Sequence, residues 1–480
     1  MTPHKQLING EWREATNGGT WNVLNPANET VVATVPFGTA ADCDLAIEAA
    51  HQAFDDWSRK TPYERAAVLG KTATLIRAES AALARTTVLE SGKPIAQARG
   101  EWLAAADLFE WFAEEGKRAY GRVIPARTAT KRMLVLKQPL GVVGLITAWN
   151  FPAWNIARAG GAALAAGCTI VIRPSEYTPL SGMHVARLLT EAGAPPGVVN
   201  LVNGEPGPMG QAMLAHPAVA KIHFTGSTRV GKLLMDGASK TVTRLSLELG
   251  GNAPVLIFPD VDLDQVVAGA AAAKFRNGGQ VCVSPQRFLV AKDVAPAFTE
   301  RIAEATGRLR VGDGLDAATH VGPLINAKQR DRVEALVAGA RADGARVAVG
   351  GSRPDGGGPG YFYQPTVVAD LSPEAPLYRE EIFGPVLPVS TFDGVDEAIA
   401  LANRTRYGLA AYVWTNHLPT ALRVAERLEF GLVGVNEWTP QSTEAPFVGW
   451  KESGLGRESG AEGLEEYLET KLVSIGGVPR

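Results

Sequence analysis

From Gly141 onward the chain alternates short apolar runs with glycine-bearing turns and helical stretches: Val142 to Thr147 then Ile156 to Ala166, Thr169 to Ile172 then Ser181 to Ala192, Ile222 to Phe224 then Thr228 to Gly237. Few folds accommodate this pattern. Strand, turn and helix repeated in that order predict an α/β fold, a parallel sheet with helices on both faces and ligands at the carboxyl ends of its strands. A second α/β segment begins near Asn252, with Val255 to Phe258 as a buried strand and Val261 to Lys274 as a helix, and it leads to Cys282. At 480 residues the chain exceeds one hydrophobic core, so two or three domains are expected.

The flanking segments predict smaller elements. Gly10-Glu11-Trp12 reads as a hairpin turn between short strands, and Met1 to Asn9 lacks the charged start and continuous apolar core of an export signal. Thr61-Pro62-Tyr63-Glu64 supplies an N-cap, a proline at the first helical position and a glutamate at the reciprocal capping position, opening helices that run to about Lys117. Residues 121 to 138 alternate basic and apolar positions, as a hairpin does. The apolar run Leu140 to Trp149 is too short for a bilayer, which needs about 20 residues, and reads as a buried strand. Gly350 to Gly360, with Pro354 and Pro359, is expected as an exposed loop before a strand at Tyr361 to Val368.

The net charge is −3 with both signs interspersed, which offers no basic stripe for nucleic acid and no polybasic anchor for a membrane, and favours a small-molecule partner. Cys43, Cys168 and Cys282 are far apart and lack metal-ligand spacing, so neither a disulfide framework nor a metal site is expected, and a reducing compartment fits.

Cys282 closes Asn277-Gly278-Gly279-Gln280-Val281-Cys282 and lies thirty-four positions after Glu248 of Glu248-Leu249-Gly250-Gly251. A thiolate nucleophile and a carboxylate base, each flanked by glycines that let a ligand approach the backbone, are the equipment of covalent thiol catalysis. An ordinary buried cysteine and a surface carboxylate are the alternative. No GxGxxG is present, so a nucleotide has to be held in another way. Phe224-Thr225-Gly226-Ser227 can present backbone N–H groups to a pyrophosphate, or can be a plain strand-to-helix turn. Arg173-Pro174-Ser175-Glu176 can hydrogen-bond ribose hydroxyls, or form a surface ion pair. Asn150, directly after a buried strand, can donate its amide to an oxyanion, or simply make the turn. Glu381, in Glu381-Ile382-Phe383-Gly384-Pro385, can hold another sugar hydroxyl with Phe383 beside a planar ring, or stand as a helix-end carboxylate.

Together with Trp149-Asn150-Phe151-Pro152 and the closing Pro446-Phe447 and Ser453-Gly454-Leu455-Gly456-Arg457-Glu458, these segments resemble the aldehyde dehydrogenase superfamily, in order and over nearly the whole chain. The resemblance implies two parallel-sheet α/β domains plus a small β flap. A cofactor-binding domain would comprise residues 1–120 and 139–250, a catalytic domain 251–450, and an oligomerisation flap 121–138 and 467–480. A cytoplasmic homodimer or homotetramer follows from the same likeness.

The resemblance further implies that Cys282 attacks an aldehyde, that Asn150 and the Cys282 N–H hold the oxyanion, and that Glu248 activates the water that hydrolyses the thioester. Trp149, Arg173, Ser175, Glu176, Gly226, Ser227, Val230, Glu381 and Phe383 would then bind the cofactor. NAD is expected because Glu176 repels the extra phosphate of NADP; Arg173, in place of the family's usual lysine, can attract it and leaves NADP open.

Arg158, eight residues after Asn150, and Arg276, six before Cys282, match the carboxylate-binding arginines of succinate-semialdehyde dehydrogenases, and Ser442 matches their third anchor. Trp154 and Phe447 are expected beside the substrate. Trp154 and Trp438 add bulk, so glutarate semialdehyde, 2-oxoglutarate semialdehyde or an aromatic aldehyde stays open. Ser284 stands where some semialdehyde dehydrogenases have a second cysteine, so a local disulfide is not expected. Two further readings are an acylating enzyme that passes the thioester to coenzyme A, opposed by Glu248, and a non-catalytic binding or structural protein, opposed by the presence of both nucleophile and base.

Overall fold

Five parallel strands form the centre of the first sheet, ordered Val199–Leu201, Thr169–Arg173, Val142–Ile146, Val219–Thr225, Arg244–Glu248. The structure, a computed structural model, describes residues 4–354 and 358–477. The start of the segment Met1 to Asn9, part of the Gly350 to Gly360 loop and the end of the flap segment 467–480 lie outside the described residues. The strand order reverses between Val142–Ile146 and Val219–Thr225, and such a switch point opens a crevice beyond the strand ends. Antiparallel edges complete the sheet: Gln6–Ile8 with Glu11–Arg13 on one side and Gly454–Leu455 on the other.

Val142–Ile146 and Thr169–Arg173 are buried along their whole length because both faces of the sheet are covered. Helices Pro62–Ser91 and Ile95–Glu115 pack with Pro152–Ala166 and Pro179–Ala192 on one face. Ala40–Arg59 and Pro206–Ala215 cover the other. Thr61 caps the second helix with the reciprocal Glu64 bond expected of it. The helix after Val142–Ile146 starts at Pro152, four residues before its apolar pattern begins, since proline suits the first helical position.

The second sheet has seven strands, ordered Arg346–Val349, Thr366–Ala369, Val386–Phe392, Pro285–Ala291, Ala253–Ile257, Ala410–Trp414, Leu432–Val435, all parallel except the first pair. Its strand near Tyr361 begins only at Thr366. Residues before it spend their backbone groups elsewhere: the Tyr361 N–H donates to Pro26 O at 2.9 Å and Leu324 N–H to Tyr361 O at 3.0 Å. The segment 121–138 forms the expected hairpin, Arg122–Ile124 with Arg132–Pro139, and Leu468–Ile475 pairs along the whole length of the longer strand. Among the described residues no helix is long and apolar enough to cross a membrane.

Candidate active site

Cys282 is reached through a loop with three consecutive left-handed residues, Asn277 (φ 50°), Gly278 (φ 62°) and Gly279 (φ 74°). A Cβ on Gly279 would lie 2.1 Å from Gly384 O, so this tight approach admits only glycine. Asn277 holds the loop by donating to Gln280 O at 3.2 Å and to the Asn150 carbonyl at 3.2 Å.

Glu248 ends the strand Arg244–Glu248, beside Thr225 in register. The turn after it is pinned by Ser453, whose hydroxyl donates to Gly250 O at 2.7 Å. Gly250 and Gly251 let two groups close in. A Cβ on the first would fall 2.6 Å from a Glu381 oxygen, and on the second 2.5 Å from Cys282 O.

One cavity of about 540 Å³ brings together Asn150, Glu248, Cys282, Thr225 to Arg229, Glu381 and Phe383 at the switch point of the first sheet. Cys282 and Glu248 line the same cavity, and one Glu248 oxygen, Oε1, is buried without a hydrogen-bond partner. Burial pushes the Glu248 carboxyl up, Arg158 opposes it, and the balance is a pKa of about 8. Burial and the neighbouring Glu248 push the Cys282 thiol well above its ordinary value. At neutral pH the resting pair therefore holds both protons, and the nucleophile forms when a proton leaves the pair. The Asn150 amide is oriented by Asn155, which donates to its Oδ1 at 3.4 Å, and its own Nδ2 faces Gln280 O at 3.4 Å, within the loop that carries Cys282.

The rest of the cavity suits a dinucleotide. Thr225 Oγ1 is buried without a hydrogen-bond partner, and a Cβ on Gly226 would strike the Phe224 ring at 2.4 Å. Ser227 caps the helix Thr228–Ala238, and Ser227, Thr228 and Arg229 line the cavity at its N-terminal end, where a helix favours an anion. Glu381 accepts the Gly251 N–H at 2.9 Å, and burial raises its carboxyl to about 7. Phe383, itself at φ 50°, meets Trp149 edge-on at 5.4 Å. Val230 is half-buried on the same helix. Val230, Arg173, Ser175 and Glu176 are not among the residues that line this cavity, and Arg173 is buried and already occupied: it donates to Gly204 O at 2.7 Å and to Glu176 at 2.8 Å. Ser175 is buried beside it.

The two arginines separate. Arg276 lines a second cavity of about 390 Å³ with Val281, Val283, Ser284, Trp438 and Gln441. Arg158 is only 1 % exposed. Its guanidinium carbon sits 4.3 Å from the centres of both the Trp154 and Phe447 rings, with Nη2 3.0 Å from Glu458 and 3.9 Å from Glu248. A substrate carboxylate touches it only if one of those rings moves. Ser442 is exposed and lines neither cavity, unlike its neighbour Gln441. Glu458 belongs to the closing motif but carried no role in the sequence. Burial would raise it, yet Arg158 and His223 beside it hold it below the usual carboxylate range. Lys93, Glu101 and Lys274 are three other buried charges that sequence reasoning missed, since an isolated Lys or Glu gives no signal of burial.

Residues 12–473 match the aldehyde dehydrogenase family. The NADP-dependent succinate-semialdehyde dehydrogenase of Escherichia coli K12 is 46% identical over 98% of this chain and 97% of its own. A glutarate-semialdehyde dehydrogenase of Pseudomonas putida KT2440 is 44% identical over 98% and 97%. The crystal structure of Staphylococcus aureus betaine aldehyde dehydrogenase with NAD+ superposes with a TM-score of 0.97 at 37% identity, covering 99% of this chain and 96% of that one. Sequence, fold and site agree, and the chain belongs to the aldehyde dehydrogenase family.

Proposed function

We propose that the protein oxidises an aldehyde with an anionic far end, succinate semialdehyde first, to the carboxylic acid with NAD or NADP. The observation that carries this reading is the single cavity shared by Cys282, Glu248, Asn150 and the nucleotide-shaped strand ends, with Arg276 in the cavity on the other side of the Cys282 loop. The identity to succinate- and glutarate-semialdehyde dehydrogenases supports the substrate class.

One proton leaves the Cys282–Glu248 pair, and the Cys282 sulfur, as thiolate, attacks the aldehyde carbon. The oxygen of the adduct is held by Asn150 Nδ2 and the Cys282 N–H, which lower the cost of its charge. The bound dinucleotide supplies the acceptor for the hydride that leaves the same carbon. What remains on Cys282 is a thioester. Glu248, as carboxylate, deprotonates a water that attacks it, and the acid leaves with the sulfur restored. Trp149, Gly226, Ser227, Val230, Glu381 and Phe383 would hold the dinucleotide, with Arg173, Ser175 and Glu176 at its adenosine ribose. Arg276 would grip the far carboxylate, while Arg158 acts from behind Trp154 and Phe447 by its charge on Glu248. Ser442 reaches the substrate only by a movement of its loop.

The flap, with Val123 72 % and Leu472 60 % exposed, would join copies into a dimer or tetramer, and the three unpaired cysteines suit the cytoplasm. Initial rates of NADH and NADPH formation with succinate semialdehyde, glutarate semialdehyde, butanal and benzaldehyde test the reading. Preference for the anionic aldehydes is expected, and equal rates on butanal would remove the carboxylate from the proposal.

A further inference from the structure

Lys93 and Glu101 form an ion pair whose two side chains are 0% exposed, and neither takes part in the chemistry above. An ion pair so deeply buried adds little stability over apolar packing, so its placement calls for another reason. Both partners end on the segment that carries Asn150. Lys93 Nζ donates to the Asn150 backbone carbonyl at 2.8 Å and stands 3.8 Å from the centre of the Phe151 ring. Glu101 Oε1 accepts the N–H groups of Ala153 at 2.9 Å and Trp154 at 3.4 Å, in the first turn of the helix that follows. The pair therefore grips the chain on both sides of Phe151. The Asn150 carbonyl that Lys93 holds is the one that Asn277 ties to the Cys282 loop. Gly92, at φ 75°, makes the turn that brings Lys93 inward, and a Cβ there would strike Pro323 at 2.4 Å.

Resting on the thioester reading above, we propose that the Lys93–Glu101 pair positions the oxyanion site: it fixes the Asn150 peptide relative to Cys282 so that the side-chain amide meets the oxygen of the adduct. Neither residue touches substrate. Both are positioning residues that act through Asn150, and a catalytic group misplaced by about 1 Å can cost about 10²-fold in rate.

The test is a cycle of Lys93→Met and Glu101→Gln, each alone and combined with Asn150→Ala. Purified enzymes are compared for kcat and KM with succinate semialdehyde, for NAD affinity by fluorescence quenching, and for the rate of Cys282 alkylation by iodoacetamide. Lys93→Met is expected to lower kcat about 10- to 100-fold, with NAD affinity and alkylation rate within about twofold of wild type. In the Asn150→Ala background the same change is expected to cost less than about twofold, because the group it positions is gone. Full multiplicative losses in the double variant would overturn the proposal, and so would a Lys93→Met enzyme with wild-type kcat. Glu101→Gln keeps an acceptor for Ala153 and the side-chain volume, and carries the same cycle if the methionine variant does not fold. An Asn150→Ala enzyme with undiminished kcat would instead overturn the oxyanion assignment underneath.

Discussion

Residues 281 to 283 form a wall between two cavities made of different materials. Cys282 lines the larger one, and Val281 and Val283 line the smaller. On the Cys282 side the shape is set by backbone: strand ends, the glycines at 226, 250 and 251, and carboxylates anchored on them. On the other side it is set by replaceable side chains, Arg276, Trp438 and Gln441, with Gly269 leaving room for the Trp438 indole, whose Nε1 lies 2.1 Å from where a Cβ would be. A wall made of backbone cannot change without moving the sheet. A wall made of side chains changes one residue at a time. Relatives whose names specify different aldehydes match this chain over nearly its whole length, so the substrate has to be read from this chain's own smaller cavity.

The largest effect expected lies on the wall itself. Cys282→Ala should reduce NADH formation by at least about 10³-fold while leaving NAD affinity and the thermal midpoint close to wild type, because a half-buried thiol at a cavity contributes little packing. NAD binding lost together with turnover would mean that the Cys282 side chain shapes the nucleotide part of its own cavity.

Glu248→Gln comes next. It should slow turnover by about 10² to 10⁴ but permit one equivalent of NADH per active site before stalling, since the thioester forms and then waits for its base. With a carboxyl raised to about 8, the wild-type steady-state rate should climb as pH rises through that value, where the base form accumulates, and level off above it. A flat profile between pH 6 and 9 would place the limiting step elsewhere. Arg158 holds that carboxyl down, so Arg158→Met should move the climb to higher pH.

How much of this was legible in the sequence differs between the same two sides. The strand-and-turn pattern, the capping box at Thr61 and the segments holding Cys282, Glu248, Asn150 and Glu381 could all be read, because glycine and proline at fixed offsets report backbone geometry directly. Three strands of the first sheet were not: Val199–Leu201 and Gly454–Leu455 are short, and Arg244–Glu248 alternates charged or polar residues with leucine. Side-chain destinations were harder still. Arg158 and Arg276 look equivalent by spacing, yet one is enclosed between two rings beside Glu458 and the other faces a cavity. Lys93 and Glu101 lie eight residues apart across the start of a helix, and nothing in that spacing announces that both are buried.

The smaller cavity gives the next effect. Arg276→Ala should raise KM for succinate semialdehyde about 10- to 100-fold, the range set by one charge-assisted hydrogen-bonded contact, and leave butanal nearly unchanged. Arg158→Met should affect both aldehydes alike, because its influence passes through Glu248. If both variants discriminate between the two substrates, the rings around Arg158 open during binding and the enclosed arrangement is not the one that takes substrate.

The smallest effect belongs to the far end of the backbone-built side, where a single side chain does vary the ligand. Glu176 pairs with Arg173 at 2.8 Å, and Arg173 is also bound to Gly204 O. The pairing offsets part of the negative charge that would meet a 2′-phosphate, and it occupies the cation that would otherwise attract one. Glu176→Ser removes the repulsion and frees one guanidinium edge together, so both changes favour NADP. The efficiency ratio of NADP to NAD should rise, but only about three- to tenfold, since Glu176 is partly solvated and its field is screened. The measurement is kcat/KM for each cofactor at saturating succinate semialdehyde. An unchanged ratio would mean that Arg173 stays on Gly204 in the variant, and that cofactor choice is fixed by backbone like the rest of this cavity.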